Sequence, residues 1–343
     1  MAVGDALGVP FESATREHML INPVTDSMIE NRRKSHHWNH VLKEAGLFSD
    51  DTSMALCLAA SLIRRHGFNA YDIFVRFKWW VKHNYMSSTG KLVFVWQTLK
   101  RQVDEFEQRQ KAYADEHQMT IEQVEQMEKT PTNAEVSTIP SEPETVASDS
   151  ALMRLAPIPL FFYRSPKEAV HYSGESCRLT FEQNGKLAID ICRYYGALIV
   201  AALHGEKKEE LLHNNFYERK FQLGWFGNEQ LHEDVLKVAH GSYKKSGGYD
   251  EGIRGTMNGI IVLEAALWTF WSDNGSHRNG AKNIIMLGGD TDTSAAIYGM
   301  LAGAYYGVDS INKEWIQQLY ANQFIGVIAL WLDYEGFKWF QKQ

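Results

Sequence analysis

Large apolar residues recur along this chain in blocks with helical rather than alternating spacing. Asp51 to Ile63, DTSMALCLAASLI, is apolar on nearly every face, the pattern of a helix enclosed by protein. Ala188 to Leu203, Ile260 to Trp271 and Ser294 to Tyr306 read the same way. Period-two alternation is scarce, so the pattern predicts an all-α, compact multi-helix fold. Ala295, Gly299, Ala302 and Gly303 give the last block a face of small residues, which would let a second helix approach closely. No internal repeat and no heptad seam is present.

One stretch breaks this pattern. From about Val93 to Glu128 the chain is rich in Gln, Glu, Lys, Arg and Met, good helix formers, and predicts a long, mostly exposed helix. From Lys129 it becomes KTPTNAEVSTIPSEPETVASDS, with prolines, hydroxyls and few large apolar groups, which predicts a mobile linker or a segment that orders on a partner. The expectation is a single domain over 1–343 carrying an acidic helical and linker insertion at about 101–149.

Charge follows the same division. Asp104 to Asp149 holds 12 acidic and 3 basic residues, a balance of −9 within a net −7, so the remainder stands at +2. A nearly neutral body gives no support for a surface that binds nucleic acid. With 343 residues at 44% apolar composition, the chain can build one large core or two modest domains. Its longest apolar runs, Tyr194 to Leu203 and Gly259 to Trp271, are short or interrupted by Glu264, so no membrane span is expected. The opening MAVGDALG lacks the basic start of a signal peptide, and a cytoplasmic protein is expected. Cys57, Cys177 and Cys192 have neither CxxC spacing nor a paired framework, which argues against structural disulfides and a zinc ribbon.

Candidate chemistry concentrates at two helix starts. In GGDTDTSAAIYG, Asp290, Thr291, Asp292 and Thr293 stand where an apolar stretch ends and a buried helix begins. One Asp suffices to cap a helix. The further oxygens exceed that need, and unpaired carboxylates beside a core cost on the order of several kcal/mol. GLFSDDTSMALCLAA repeats the design with Ser49, Asp50, Asp51 and Thr52. Neighbouring like charges are tolerated best with a cation between them. Hard oxygen ligands without His or Cys point to Mg²⁺ or Mn²⁺ rather than zinc, and four carboxylates suit two such ions about 3.5–4 Å apart.

Other templates fail. An EF-hand starting at Asp290 would place Ala295 and Leu301 where Gly and Glu are required. STGK at Ser88 to Lys91 has Tyr85 where a phosphate loop needs its first Gly. The histidines of SHHWNH, Ser35 to His40, lack regular ligand spacing and read as a solvated loop. No G-x-S-x-G elbow is present, so covalent nucleophilic catalysis has no support.

These motifs resemble the ADP-ribosylglycohydrolase family, which includes hydrolases of ADP-ribosyl-arginine and ADP-ribosyl-serine and the enzyme that reactivates ADP-ribosylated dinitrogenase reductase. GDALGVPFE (Gly4 to Glu12) resembles its opening motif, and FSDDTSMAL (Phe48 to Leu56) its paired-Asp motif. ALMRLAPIPL (Ala151 to Leu160) resembles the substrate loop and its helix, and GGDTDTSAAIYGMLAGAYYG (Gly288 to Gly307) the C-terminal metal motif. The resemblance touches most of the chain outside about 100–147 and 206–248, and it places Met1 inside the family's first helix. It implies an all-helical fold with two Mg²⁺ or Mn²⁺ ions at the base of an ADP-ribose cleft. The ligands carried over are Ser49, Asp50, Asp51, Asp290, Asp292 and Thr293, with Glu12 at the cleft and Ser148, Asp149, Ser150 and Met153 on the substrate side. The implied reaction cleaves ADP-ribose from a modified protein side chain, arginine being favoured. Asp50, Asp51 or Asp292 would guide the proton of the attacking water.

Three positions depart from the family pattern. Ser148-Asp149-Ser150 stands where the family often has Gly-Asn-Gly, Phe181 where many members have His, and Ser88-Thr89-Gly90 where some members have Asp-x-Gly. An intact acidic set beside a changed substrate shell favours a working metal site with altered preference. The competing expectations are a non-catalytic ADP-ribose-binding or immunity protein that neutralises an ADP-ribosyltransferase toxin, and a metal-stabilised structural protein without ADP-ribose affinity.

Overall fold

The computed structural model describes residues 1–33, 42, 44–92, 94–127, 149–180 and 185–343. Ser148, Phe181, most of the expected linker and the His36–His40 cluster lie outside the described residues. The architecture is all-α. Among the described residues no strand occurs, and one isolated bridge joins Ala14 to Gly289. Among them also, no helix is long and apolar enough to cross a membrane.

Each apolar block forms a helix at the expected place. They run Asp50–Arg65, Lys186–Leu203, Gly259–Ser272 and Thr291–Tyr306, and their side chains, with those of Pro157–Phe162 and Pro166–Arg178, make one continuous core. The ends are set locally. Ser49 and Asn258 accept bonds from the first free N–H groups of their helices, and His66 and Asn84 close Asp50–Arg65 and the next helix, Ala70–His83, in the left-handed region.

The small-residue face does what its composition allows. The N-terminal helix Ala2–Gly8 lies directly on Thr291–Tyr306. A Cβ on Gly4 would stand 2.2 Å from the Ala295 carbonyl oxygen, and one on Gly8 2.4 Å from that of Thr291. Backbone-to-backbone contact at this range requires hydrogen in place of a side chain. It brings the GDALG segment against the start of the Asp-rich helix.

The acidic insertion differs from expectation. A helix at Gln97–His117 ends at Gln118 in the left-handed region, and a second, Ile121–Glu125, restarts with a Thr120/Gln123 capping box. The first is docked rather than mostly exposed: Leu99, Val103, Phe106 and Ala114 are buried. Phe106 packs edge-on to Phe74 at 5.0 Å between ring centroids. Lys78 donates to Gln110 at 2.6 Å and pairs with Glu125, which also accepts from the Trp79 indole N–H at 2.9 Å. The charged composition hid an apolar stripe at three- and four-residue spacing.

Candidate metal centre

Two loops and one helix build the site. In the GGD turn, Gly288 and Gly289 both have φ of +75°. A Cβ on Gly289 would lie 2.0 Å from the Gly255 carbonyl oxygen, so only glycine lets the chain pass there. The Gly289 N–H donates to Ala14 O at 2.8 Å, and its own carbonyl accepts from Ser13 N at 2.7 Å. The turn thereby fastens the segment after Glu12 to the start of Thr291–Tyr306. Thr291 is consumed structurally, its hydroxyl donating to Gly8 O at 2.9 Å.

The second loop ends at Ser49. Its hydroxyl donates to Asp51 Oδ2 at 2.8 Å. Ser88 is buried behind this loop and donates to Phe48 O at 2.7 Å. That position therefore holds backbone here.

The helical contribution is Asp5, which sequence reasoning passed over within GDALG in favour of Glu12. Its side chain is fully buried. Oδ1 accepts from Ser49 N at 2.9 Å, and Oδ2 accepts from Thr52 N at 3.0 Å and the Thr52 hydroxyl at 2.6 Å. Asp5 thus caps the Asp50–Arg65 helix from a different element. A lone carboxylate flanked by small residues inside an apolar helix was the available signal.

The two acidic turns converge. Thr293 Oγ1 donates to Asp51 Oδ2 at 3.4 Å, and Asp5, Asp51 and Asp292 each bring one carboxylate oxygen within 4.8 Å of the others. All three are buried. Asp51 Oδ1 and Asp292 Oδ1 have no hydrogen-bond partner. Asp50, Asp290 and Thr293 flank them, all buried, and half-buried Glu12 stands closer to the rim.

Electrostatics follow from this crowding. Burial, reinforced by neighbouring acids, pushes Asp51, Asp290 and Asp292 far above the usual carboxylate range. Asp50 is raised to about 7 by burial and by the Asp5 and Glu12 charges. Glu12 is raised to about 8 by burial and then by Asp292 and Asp5. Carboxylates without an adjacent cation hold their protons. The all-oxygen donor set and the two orphaned oxygens fit hard divalent cations.

The substrate-side candidates divide. Asp149 is buried and hydrogen-bonds to Asp290, and burial raises its pKa to about 7. The departure from Gly-Asn-Gly therefore adds an acid to the cluster. Ser150 is buried beside it, and its carbonyl accepts from Arg154 at 2.8 Å. Met153 is 1% exposed within the hydrophobic core, where it supports the loop and offers a ligand no accessible side chain. Fully buried Arg154, a second residue the sequence reading missed, ties this loop to the Thr180 hydroxyl at 2.8 Å.

Comparison with known proteins agrees with this geometry. The family model described as ADP-ribosylglycohydrolase matches residues 1–338. The chain is 25% identical over 334 residues to ADP-ribosylarginine hydrolase Tri1 of Serratia proteamaculans (strain 568), covering 97% of this chain and 77% of that protein. It is 23% identical over 321 residues to the ADP-ribosyl dinitrogen reductase glycohydrolase of Rhodospirillum rubrum, covering 93% and 87%. A solved structure described as an ADP-ribosylglycohydrolase-related protein complex superposes with a TM-score of 0.67 at 26% identity, over 98% of this chain and 94% of the other. The chain belongs to the ADP-ribosylglycohydrolase family and is a hydrolase of that class.

Proposed function

We propose that this protein cleaves the glycosidic bond between ADP-ribose and a modified protein side chain, with arginine the favoured acceptor, and that the reaction depends on two divalent cations, Mg²⁺ or Mn²⁺. The observation that carries this reading is the meeting of the Asp51 and Asp292 turns over Asp5, with an unpartnered carboxylate oxygen on each turn. Its acceptor preference is supported by likeness to a relative named as an ADP-ribosylarginine hydrolase.

Ser49, Asp50, Asp51, Asp290, Asp292 and Thr293 would hold the cations, joined by Asp5. Bound there, the cations would supply Lewis-acid stabilisation of developing charge and lower the pKa of the attacking water. The remaining steps fall to the chain. Asp50, Asp51 or Asp292 would take the proton of the water. Glu12 at the rim would contact the distal ribose, and Asp149 with Ser150 would line the same cleft. The chain acts as one domain from 1 to 343, its docked 97–125 helices bracing the Ala70–His83 helix.

The deciding experiment incubates the protein with arginine-, serine- and nucleotide-linked ADP-ribose, with Mn²⁺ or with chelator, and measures free ADP-ribose. Release from the arginine conjugate that needs cation and is lost in Asp51→Ala and Asp292→Ala supports the proposal. Binding of ADP-ribose without release in any arm would replace it with the non-catalytic reading.

A further inference from the structure

The final helix, Asn322–Phe340, is apolar on nearly all sides. Its inner face is accounted for. Ile328 and Leu332 are buried, and Gly336 lies so close to Pro157–Phe162 that a Cβ would stand 2.1 Å from the Phe161 carbonyl oxygen. Glu335 is held by His66 at 2.7 Å. The outer face carries Val327 at 56%, Leu330 at 74%, Trp331 at 49% and Tyr334 at 57% exposure, with Phe324 and Phe337 extending it toward either end. A helix that is apolar all round belongs inside a larger body.

We propose that this outer face is the interface of a homodimer, two copies of the helix packing antiparallel across a two-fold axis near Leu330 and Tyr334. Area supports a second copy. Four aromatic side chains of roughly 150–250 Å² each, about half exposed, together with Val327 and Leu330 present on the order of 600 Å² over about 20 Å of helix, approaching the roughly 800 Å² per partner of a stable interface. Symmetry supports it as well. An antiparallel pair sets the Phe324 end of one helix against the Phe337 end of the other, apolar against apolar, with Trp331 and Tyr334, residue types that dominate binding energy, near the centre. Charge disfavours a lipid surface, which selects helices rich in Lys and Arg on the polar side. This helix has Lys338 alone, the chain carries net −7, and Asp333 and Glu335 are tied to Arg164 and His66.

Sedimentation equilibrium of the full chain from 1 to 100 µM tests this, run beside flotation with vesicles of phosphatidylcholine and phosphatidylglycerol. The expected result is twice the 39.2 kDa chain mass without vesicle capture. Leu330→Glu should weaken association by roughly 30-fold or more, as for a central interface residue, while leaving the circular dichroism spectrum unchanged. Val327→Glu serves the same purpose if Leu330→Glu fails to fold. Mixing Leu330→Glu with Leu330→Arg should restore the dimer, since the two positions meet near the axis. A mass of 39.2 kDa at every concentration, a dimer indifferent to both acidic substitutions, or capture of a monomer by vesicles overturns the proposal.

Discussion

Replacing Asp5 probes the site where structure and chemistry share one side chain. Asp5→Ala removes the acceptor for two backbone N–H groups and one hydroxyl, all buried. A buried donor left without a partner costs about 1–3 kcal/mol. Because the Thr52 hydroxyl can turn to another acceptor, the expected loss is about 3–5 kcal/mol. Unfolding entropy near 2.1 cal/mol/K per residue gives about 0.7 kcal/mol/K for this chain, so Tm should fall by about 4–7 °C. The sign of the cation effect follows from burial. Without a cation, burial raises the Asp5 pKa, so removing this carboxylate also relieves a penalty, and the drop should be smaller in chelator than in Mn²⁺. A cation at 100 times its Kd adds about 2.7 kcal/mol, or about 4 °C here. Asp5→Asn keeps the size and should lose most of that increment. Scanning calorimetry of wild type and both variants, with Mn²⁺ and with chelator, measures every term. A drop below about 1 °C for Asp5→Ala in both conditions would refute the capping role, and a full Mn²⁺ increment in Asp5→Asn would refute the ligand role.

Further outcomes follow from the same geometry. Burial raises Asp50 and Asp149 to about 7 and Glu12 to about 8. In the cation-free protein the stability tied to these groups is full below about pH 4 and is lost as pH rises through 7 to 8. The Tm increment from Mn²⁺ should therefore grow between pH 5 and pH 8, and an increment equal at both would contradict the assignment. Gly8→Ala forces a methyl to 2.4 Å from the Thr291 carbonyl oxygen. It should cost about 1–3 kcal/mol and weaken Mn²⁺ binding in a titration, whereas wild-type stability and affinity would mean that the helix contact does not position the Asp292 turn. Arg154→Lys keeps the charge but not the fork that reaches Ser150 O and Thr180 Oγ1. Urea unfolding should show a loss of about 2–4 kcal/mol, and a change within 0.5 kcal/mol would show that the loop holds without it.

Much of this was readable in order of residues alone. Helices at Asp50–Arg65, Lys186–Leu203, Gly259–Ser272 and Thr291–Tyr306 were visible because enclosure on most sides leaves blocks that are apolar on nearly every face. Surplus oxygens at Ser49–Asp51 and Asp290–Thr293 stood out because capping consumes only one of them. The close approach of a second helix was implied by Gly299 and Ala295, small residues whose effect is local and steric, although only the structure shows that Ala2–Gly8 is that helix.

What needed the tertiary structure was every feature defined by a neighbour distant in the chain. Asp5 is an ordinary buried acid until Ser49 and Thr52 donate to it across more than forty residues. Asp149 reads as a substrate-side residue until it is found bonded to Asp290. Phe106 and Val103 were masked by the charges between them, and only the Ala70–His83 helix shows which side of Gln97–His117 turns inward. Sequence spacing fixes what one helix or turn can present, because backbone geometry repeats over a few residues. Which presentations meet is decided by packing of the whole core, where the GGD turn and the glycines of the first helix set two acidic loops within a few ångströms of each other.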